Sequence, residues 1–484
     1  MSKKPRPQLF TRNKNVKPID ILHFGPGAFF RAFCCVYFQK MKIIKPASIN
    51  IMAVSLVTPD TVKKLSRQGG AFTAVEKSPD GLAIEILDVI QEAVFAPSEH
   101  EKILKTLSSN YLKFVTLTIT EKGYYYLTNS GKLNLDHPDI IHDLKNIDRP
   151  ISAIGYIVSG LKLRKEKGLF PFTCLSCDNL PNNGSILKDT IIQFSGELDK
   201  ELSNWISDFG KFPSSMIDRI VPKVLQSDID AISGIFDYSD QSPVFHEPYS
   251  LWVIEDDFVD RQSFPLEEVG IKLVPNVEKF EIMKLRCLNG THSALAYLGY
   301  LSGYKTIFDT VSEPVFQKYL FRTWKMEIIP SIDPPSGFDL IKYTDELFKR
   351  YSNSAIVHST HQIAMDGSQK LPQRILGTVQ ENLQDNRSVA LLCEAIAAWI
   401  RFTGGADESG REIDVLDPLA SEFVECHRKS KDVMDLVDRY LSLNQVFSDF
   451  LKRNAVFKSH LENAILRQRE RGTLESLKKV LKLE

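Results

Sequence analysis

The stretch IDILHFGPGAFFRAFCCVYFQKM, residues 19–41, decides the fold class. Its first six residues form a short apolar run that ends abruptly in a Gly-Pro-Gly turn, and an apolar segment with helical spacing follows. This pattern is typical of a strand, a tight turn and a helix. Glycine lets a backbone approach a pyrophosphate, and the start of a helix offers free N–H groups to it. The stretch therefore predicts a dinucleotide-binding turn made by Gly25, Pro26, Gly27, Ala28 and Phe29.

The match to the general dinucleotide fingerprint is incomplete, because Phe30 occupies the third glycine position. A tight turn without a ligand is the alternative at this point. Arg31, one turn into the helix, either contacts a phosphate or is solvated. The second apolar run, INIMAVSL at 49–56, is followed only late by an acid, Asp60, that could read a ribose 2′-hydroxyl. No arginine lies there to hold a 2′-phosphate, so NAD is favoured and NADP stays open as the alternative.

Strand-like and helical segments alternate through the first half of the chain, which predicts a parallel sheet with helices on both faces. The further predicted strands are AFTAVEK (71–77), IEILDVI (84–90), FVTLTIT (114–120) and FTCLSC (172–177). After about residue 281 the apolar positions recur at helical spacing, as in 292–301, 314–324 and 389–402. We therefore predict an α/β fold: a Rossmann-like, doubly wound NAD(P)-binding domain over 1–280 and a mainly helical substrate and catalytic domain over 281–484.

Composition limits the class of protein. A chain of 484 residues is long enough for two packed domains, and 60 Lys and Arg nearly balance 61 Asp and Glu. That balance provides no field for nucleic acid or an anionic membrane. No apolar run has the length of a membrane span, and the amino terminus lacks the apolar stretch of a signal peptide. Seven scattered cysteines fit free thiols in a reducing compartment, so a cytoplasmic location is predicted.

Cys174 and Cys177 form a lone CxxC pair within PFTCLSCDN. No second pair or neighbouring histidine accompanies them, so zinc or redox chemistry has little support. Alternating burial along a strand explains the pair more simply.

The segment KFEIMKLRCLNGTHSALAYLGY, residues 279–300, embeds Lys284, Asn289 and His292 in an otherwise apolar helical pattern. Buried polar side chains need a hydrogen-bonding partner or a ligand. Each also has an ordinary role: a snorkelling lysine, a turn-capping asparagine and a satisfied core histidine. On a straight α-helix Asn289 and His292 share a face, and Lys284 lies about 12 Å along the axis from His292. These two cannot touch one small atom, but a six-carbon substrate fits between them.

The pattern K-x-x-x-x-N-x-x-H in KLRCLNGTHSALAYLG resembles the signature of the polyol-specific long-chain dehydrogenases, the mannitol dehydrogenase family. The resemblance runs nearly end to end, through GPGAFFRAF (25–33), TITEKGY (118–124), SAIGYIVSGLKLRKEKGL (152–169), SCDNLPNNG (176–184), MIDRIVP (216–222), EPYSLWVIEDDF (247–258) and QIAMDGSQKLPQR (362–374). It implies a metal-independent, NAD-dependent dehydrogenase that interconverts a small polyol or sugar acid with its 2-keto form. It also implies a monomer.

The resemblance implies roles for four residues. Lys284 would be the general base that takes the proton of the reacting hydroxyl, which requires burial or a nearby dipole to favour an uncharged amine. Asn179 and Asn289 would donate hydrogen bonds to the developing alkoxide, as an oxyanion hole does. His292 would hold another substrate hydroxyl.

Three carboxylates also match family positions. Asp218, in MIDRIVP, would orient the substrate or Lys284. Glu281 and Glu121 match positions associated with proton release to solvent, and surface or capping carboxylates are their ordinary alternative.

The substrate is indicated by the segment QIAMDGSQKLPQR, which is closest to the fructuronate reductases of the family. Lys370 matches a substrate-binding lysine, and Gln362 stands where mannitol-oxidising members have an arginine. This favours D-mannonate and D-fructuronate, whose carboxylate Lys370 or Arg374 would meet. Mannitol 2-dehydrogenase, acting on D-mannitol and D-fructose, is the nearest rival. One departure is that Phe30 and Phe33 replace the family's usual histidines.

Two other classes of protein are open alternatives. A non-catalytic sensor of the same fold would have no need of a lysine base beside two amide donors. A zinc-dependent alcohol dehydrogenase would need a set of histidine and cysteine ligands at metal-binding spacing, and the sequence offers none.

Overall fold

The computed structural model describes residues 8–9, 17–46, 49–127, 130–235 and 238–483. The chain divides into two compact units, Met1–Glu278 and Lys279–Glu484. The domain boundary expected from the sequence, between residues 280 and 281, falls close to this division.

The strands of the described residues all belong to the first unit. In chain order they are β1 (Gln8–Leu9), β2 (Ile21–Phe24), β3 (Ile51–Ser55), β4 (Phe72–Ser78), β5 (Gly81–Leu87), β6 (Ile90–Phe95), β7 (Phe114–Leu117), β8 (Tyr126–Leu127), β9 (Lys132–Leu133), β10 (Thr173–Ser176), β11 (Ser215–Asp218), β12 (Tyr238–Ser239), β13 (Val244–His246), β14 (Leu251–Glu255) and β15 (Lys272–Val274).

A five-stranded sheet with the order β10-β7-β2-β3-β6 forms the centre of the first unit, and every neighbouring pair in it is parallel. Side chains alternate between its two faces. Ile21 and Ile51 belong to one apolar core, and their successors Leu22 and Met52 belong to another. Because both faces are covered, the strands read as nearly continuous apolar runs. The predicted doubly wound fold is confirmed.

Helices of the first unit supply the other side of both cores. They are α1 (Ala28–Ala32), α2 (Cys34–Ile44), α3 (Asp60–Arg67), α4 (His100–Leu107), α5 (Pro138–Lys145), α6 (Ala153–Glu166), α7 (Asn183–Leu198), α8 (Lys200–Phe209) and α9 (Gln226–Ile235). Short 3₁₀ turns cover Ala96–Ser98, Glu121–Tyr124 and Glu267–Val269. Helix α2 packs on one face of the sheet, whereas α4, α6 and α7 pack on the other.

Two of the predicted strands do not belong to the parallel sheet. β4 and β5 form an antiparallel hairpin across the turn that ends at Gly81, and β13 joins β4 in parallel. Gly81 has a φ of +130°, which suits the tight turn of a hairpin. The strand predicted over 84–90 is therefore wrong in its bounds, because its first part ends β5 and Ile90 begins β6. A third sheet has the order β11-β14-β15.

The second unit is helical, as predicted, and residues 279–483 contain no strand. Its helices are α10 (Glu278–Met283), α11 (Thr291–Leu301), α12 (Ile307–Ser312), α13 (Pro314–Thr323), α14 (Leu340–Tyr351), α15 (Thr360–Ala364), α16 (Gly367–Leu371), α17 (Gly377–Gln384), α18 (Ala390–Phe402), α19 (Ala420–Lys429), α20 (Val433–Leu441), α21 (Asp449–Arg453), α22 (Ala455–Arg471) and α23 (Thr473–Val480). A 3₁₀ turn covers Ile329–Ser331. Three segments are π-helical: Lys284–Gly290, Trp324–Ile328 and Pro372–Leu376.

Over the described part of the chain, we find no helix with both the length and the apolar character needed to cross a membrane.

Candidate active site

Predicted site residues of the first unit gather at one edge of the parallel sheet. Asn179 follows the end of β10, Glu121 follows β7, Gly25 follows β2 and Asp60 follows β3. These four strands are neighbours in that order, and their carboxyl ends meet at the same edge because they are parallel. This is the edge at which open α/β sheets bind their ligands.

The Gly-Pro-Gly turn has the features of a dinucleotide-binding turn. Gly25 has a φ of +92°, and a Cβ atom there would lie 2.0 Å from the Thr118 carbonyl oxygen, so only glycine fits. Gly27 is exposed, and a Cβ atom on it would meet nothing closer than 3.9 Å. The first N–H groups of α1 have no acceptor within the helix. The turn thus offers open backbone to a pyrophosphate, and its residues fit NAD.

His23 supports this turn, a role that the sequence reasoning missed. Its Nε2 lies 3.1 Å from the Gly25 carbonyl oxygen, to which it donates, and its Nδ1 lies 2.8 Å from Thr116 Oγ1. The ring stacks on Phe30 with a centroid distance of 3.4 Å. Burial lowers the pKa of His23 to about 3, so the ring is neutral. A polar residue in the apolar run IDILHF was the available signal.

The structure excludes one of the two alternatives for Arg31. Its side chain is buried, with Nε 3.3 Å from the Pro26 carbonyl oxygen and Nη1 donating to the Ser242 carbonyl. The guanidinium also lies over the Phe72 ring. Burial lowers its pKa to about 10, which leaves it charged at neutral pH. Arg31 is therefore not solvated, and its predicted contact with a phosphate stays a prediction.

Three other residues near the turn differ in exposure. Phe30 and Phe33 are fully buried, and Phe33 packs against Trp252. Their aromatic rings therefore fill the core beneath the turn. Asp60 is the exposed first residue of α3, so its predicted contact with a ribose stays a prediction.

The loop that carries Glu121 is held by Asp178, the residue before Asn179. The Asp178 carboxylate accepts the N–H of Ile119 at 3.0 Å, the N–H of Thr120 at 2.9 Å and the hydroxyl of Tyr124 at 2.7 Å. Burial raises its pKa.

This loop is strained just before Glu121. Thr120 adopts a φ of +61° with a ψ of 168°, a conformation that costs a non-glycine residue about 1–3 kcal/mol. The hydrogen bonds to Asp178 stabilise it. Glu121 and Asn179 are both exposed, on segments that one buried carboxylate ties together.

Asp218 lies in another sheet of the same unit. It is the last residue of β11, is 2% exposed, and pairs in register with Leu251 of β14. The next residue, Arg219, donates its Nη1 to the Ala32 carbonyl at 2.8 Å and its Nε to the Tyr249 carbonyl at 3.1 Å.

In the second unit, Lys284 and Asn289 lie on a π turn, not on the straight α-helix assumed from the sequence. The segment Lys284–Gly290 is π-helical, and α11 begins directly after it. A π turn joins residues five apart by its hydrogen bonds, whereas five residues make about 1.4 turns of an α-helix. The wider turn therefore brings Lys284 and Asn289, which are five apart, towards one face. Single π turns within α-helices occur frequently at functional sites.

Two atoms of this segment have the character of ligand-binding groups. Asn289 Oδ1 and His292 Nε2 are both out of reach of solvent, and neither has a hydrogen-bond partner among the described residues. A buried polar atom without a partner costs about 1–3 kcal/mol, and two such atoms three residues apart, beside Lys284, are suited to hydrogen-bond a ligand. Lys284 and Glu281 are half-buried on the same segment.

Lys370 and Arg374 supply positive charge. Lys370 Nζ donates to the carbonyls of Ile363 at 3.3 Å and Met365 at 2.5 Å, and Arg374 Nη1 donates to Ser293 Oγ at 3.1 Å. Burial lowers the pKa of both. In the part of the chain that the structure describes, neither cation has a carboxylate within 4.0 Å. Both side chains are half-buried, and a half-buried cation without a neighbouring carboxylate is available to an anionic ligand.

A second histidine, His358, lies beside His292 and was missed by the sequence reasoning. The two ring centroids are 5.3 Å apart. Burial lowers the pKa of His358 to about 4, and the charge of Arg350 adds to this effect. The pKa of His292 is lowered well below its ordinary value by burial and by nearby cations, which include Arg374 and Lys370. Both rings are therefore neutral hydrogen-bonding groups at neutral pH.

The lone CxxC pair has an ordinary explanation. Cys174 belongs to the core on one face of the parallel sheet and Cys177 to the core on the other. The expected alternation of burial along the strand is wrong, because β10 is buried on both faces and each cysteine fills a different core. Among the described residues, no three histidine, cysteine or acidic side chains are grouped as a metal would require.

A doubly wound sheet with a dinucleotide-binding turn, joined to a helical unit with a lysine, an amide and an imidazole on one segment, defines a nicotinamide-dependent oxidoreductase. The family model described as the mannitol dehydrogenase Rossmann domain matches residues 19–267, and the mannitol dehydrogenase C-terminal domain matches residues 276–468. The chain belongs to the mannitol dehydrogenase family. The predicted family, fold class and enzyme class are confirmed.

Individual relatives match along nearly the whole chain. The chain is 40% identical over 459 residues to the D-mannonate oxidoreductase of Escherichia coli K12, with 94% of each chain covered. It is 33% identical over 483 residues to a mannitol 2-dehydrogenase of Aspergillus fumigatus. This alignment covers 98% of this chain and 95% of the relative. The structure of Pseudomonas fluorescens mannitol 2-dehydrogenase in ternary complex with NAD and D-mannitol superimposes with a TM-score of 0.84 at 29% identity, over 99% of this chain and 97% of that chain. That complex contains NAD, the cofactor that the sequence favours for this chain.

Proposed function

We propose that this enzyme uses NAD to interconvert a sugar acid or polyol with its 2-keto form, and that D-mannonate and D-fructuronate are its substrate pair. The observation that carries the proposal is the pair of unpartnered atoms, Asn289 Oδ1 and His292 Nε2, on the segment of Lys284. We assign NAD binding to the domain of residues 1–280 and substrate binding and catalysis to residues 281–484.

Gly25, Pro26, Gly27, Ala28 and Phe29 would hold the pyrophosphate of NAD. Asp60, at the start of α3, would meet the adenosine ribose, and NADP stays open as the alternative cofactor. When bound, the nicotinamide accepts or supplies the hydride of the reacting carbon. Arg31 supports the turn from behind, through its hydrogen bond to the Pro26 carbonyl.

Lys284 would accept the proton of the reacting hydroxyl as general base. The amides of Asn289 and Asn179 would donate hydrogen bonds to the oxygen on which negative charge develops. The unpartnered Asn289 Oδ1 and His292 Nε2 would meet further hydroxyl groups of the substrate. These protein atoms already lost their water when the chain folded. A substrate hydroxyl would therefore give each of them a hydrogen bond at no further cost of desolvating the protein atom.

The three carboxylates would serve these groups. We assign Asp218 to orienting the substrate or Lys284. Glu281 is three residues before Lys284, so on a helical segment the two side chains are neighbours, and it would receive the proton from that amine. Glu121, exposed at the carboxyl edge of the sheet, would pass a proton to solvent.

A sugar acid is favoured over a plain polyol by the charge near His292. Lys370 and Arg374 are half-buried cations, and a carboxylate on the substrate would pair with one of them. The 40% identity to a D-mannonate oxidoreductase supports the same choice. The second candidate is mannitol 2-dehydrogenase activity, which the Aspergillus fumigatus relative supports. Gln362, which stands where mannitol-oxidising members of the family have an arginine, is exposed on α15.

The test is a spectrophotometric screen that follows reduced nicotinamide. D-fructuronate, D-tagaturonate and D-fructose would be offered with NADH and then with NADPH. We expect the highest kcat/KM with D-fructuronate and NADH. A higher kcat/KM with D-fructose would instead support mannitol 2-dehydrogenase activity.

A non-catalytic sensor is the remaining alternative. It would bind NADH, detected by the fluorescence of the reduced cofactor, and turn over none of the three substrates. A cytoplasmic location and a monomeric state, both expected from the sequence, stay predictions.

A further inference from the structure

Side chains from two other helical segments donate hydrogen bonds into the π turn of residues 284–290. Trp324 Nε1 donates to the carbonyl of Cys287 at 2.9 Å, and the Tyr351 hydroxyl donates to the carbonyl of Leu288 at 2.8 Å. In an α-helix, both carbonyls would accept the N–H of the residue four positions further on. The Thr291 hydroxyl also donates to the Cys287 carbonyl at 2.6 Å, and the Thr291 N–H donates to the Leu288 carbonyl, so the two outside donors add to hydrogen bonds made locally.

Tyr351 makes the more extensive of the two contacts. Its hydroxyl also lies 3.0 Å from Thr291 Oγ1, on the first residue of α11. Its ring lies 5.5 Å from the ring of His292 and stacks on Trp324 at 6.4 Å with an interplanar angle of 10°. The side chain is 3% exposed. One buried phenol thus contacts the π turn, the start of the next helix and a proposed substrate-binding imidazole.

A π turn needs such support because it is much rarer than an α-helical turn of the same sequence. If residues 284–290 relaxed to an α-helix, Lys284 and Asn289 would be about 1.4 turns apart and would no longer share a face. Trp324 and Tyr351 donate to the Cys287 and Leu288 carbonyls in the π-helical conformation, so their hydrogen bonds stabilise the wider turn.

We propose that Tyr351 is a positioning residue, whose hydroxyl holds the π turn and thereby keeps the Lys284 amine and the Asn289 amide on one face. The inference rests on the proposed function, since it concerns the alignment of a base and an alkoxide donor. Tyr351 acts through the backbone of Leu288.

The test compares Tyr351→Phe with a matched control, Tyr319→Phe. Tyr319 is also buried in the second unit, and its hydroxyl donates to a helix carbonyl, that of Leu391, at 3.0 Å. Each variant loses one buried phenol hydroxyl, so similar losses of thermal stability are expected, and only the first touches the π turn.

Two measurements separate positioning from folding. The first is the pH dependence of kcat/KM with D-fructuronate. The second is the pH dependence of chemical labelling of the Lys284 amine, read by peptide mass spectrometry, which needs no turnover. For Tyr351→Phe we expect kcat to fall at least about tenfold, and the apparent pKa in both profiles to move by at least about half a unit. The KM for NADH stays within about twofold, and Tyr319→Phe moves neither profile.

Equal kinetic and labelling profiles for the two variants would overturn the proposal. If Tyr351→Phe does not fold, Trp324→Phe removes the other donor while keeping an aromatic ring, and we expect the same displacement of both profiles. If the proposed function is wrong, the unmodified enzyme will not turn over D-fructuronate. The labelling of Lys284 needs no turnover, so comparing the two variants by labelling still decides the role of Tyr351.

Discussion

Gly290 packs directly against the backbone of Arg374: a Cβ atom on Gly290 would lie 2.6 Å from the Arg374 carbonyl oxygen. Real Cβ atoms do not come so close to a backbone oxygen, so only glycine allows this contact. The π turn that carries Lys284 and Asn289 therefore meets the π turn of Arg374 at a fixed distance. The proposed base and the proposed carboxylate contact belong to two backbone segments in direct contact.

Replacing the proposed base, Lys284→Ala, is expected to abolish turnover, because no other group would take the proton of the reacting hydroxyl. Binding of NADH, measured by its fluorescence, should stay nearly unchanged. Lys279→Ala is the matched control, because Lys279 is 55% exposed and pairs with Asp333. Retention of most of the kcat by Lys284→Ala would show that the base is another residue.

Arg374→Gln should lower kcat/KM for D-fructuronate by about 10- to 100-fold more than for D-fructose, since a charge-assisted hydrogen bond contributes about 1.5–3 kcal/mol. Both substrates would be measured with NADH. The control is Lys349→Gln, which removes a cation of α14 that is 70% exposed. An equal loss for the two substrates would mean that Arg374 does not contact the carboxylate.

Gly25→Ala should weaken NADH binding at least about tenfold, because the added Cβ would displace the turn from the Thr118 carbonyl and the φ of +92° disfavours alanine. Gly168→Ala is the control. Gly168 also has a positive φ, +67°, but a Cβ atom there would meet nothing within 4 Å. It should cost about 1–2 kcal/mol of stability and leave cofactor affinity unchanged. Unaltered NADH affinity in Gly25→Ala would contradict the assignment of the turn.

His23 should make the first unit sensitive to acid. Its pKa in the folded protein is about 3, below the ordinary 6.5 of the unfolded chain. Between these values the unfolded chain binds one more proton, so stability rises with pH and is lost as the pH falls below 6.5. The slope from one such group is about 1.4 kcal/mol per pH unit. Thermal melting of His23→Gln should change less between pH 7 and pH 5 than that of the unmodified protein, and parallel curves would refute the assignment.

Incubation with a chelator followed by desalting is expected to leave activity intact. The proposed chemistry assigns proton transfer to Lys284 and stabilisation of the alkoxide to amide groups, which need no metal ion. Loss of activity that is restored by zinc would contradict this prediction.

Much of the fold could be predicted from the sequence, since the parallel strands are buried on both faces and read as apolar runs that end in turn residues. The apolar run at residues 19–24 and the turn at Gly25 were sufficient to predict β2 and the helix α1 that follows it. The hairpin of β4 and β5 was not assigned correctly, because its residues have the same β-branched composition as the parallel strands. The composition of β5 predicts a strand, but most of its residues are exposed, and its pairing with β4 depends on the turn at Gly81.

The candidate site could be predicted only in part. Lys284, Asn289 and His292 stood out as polar residues in an apolar pattern, and their resemblance to a family gave them roles that still await measurement. The burial of Arg31 could not be predicted, because its acceptors at Pro26 and Ser242 are backbone carbonyls that no side-chain pattern reveals.

The π turn was also absent from the prediction. Helical periodicity over a few residues does not distinguish 3.6 residues per turn from a slightly wider turn. The contacts that favour it come from Trp324 and Tyr351, which are distant in sequence.

The π turn at residues 284–290 accommodates one residue more than the α-helical turn that it replaces. In evolutionary terms, such a turn can arise from an uninterrupted helix by insertion of a single residue. Because the wider turn holds the extra residue, the α-helix that follows, with His292 in it, is spared the rotation of about 100° that one added residue would cause in a plain α-helix. The change is confined to the turn, so a packed helix acquires new side-chain directions at one place while the helix on either side keeps its packing.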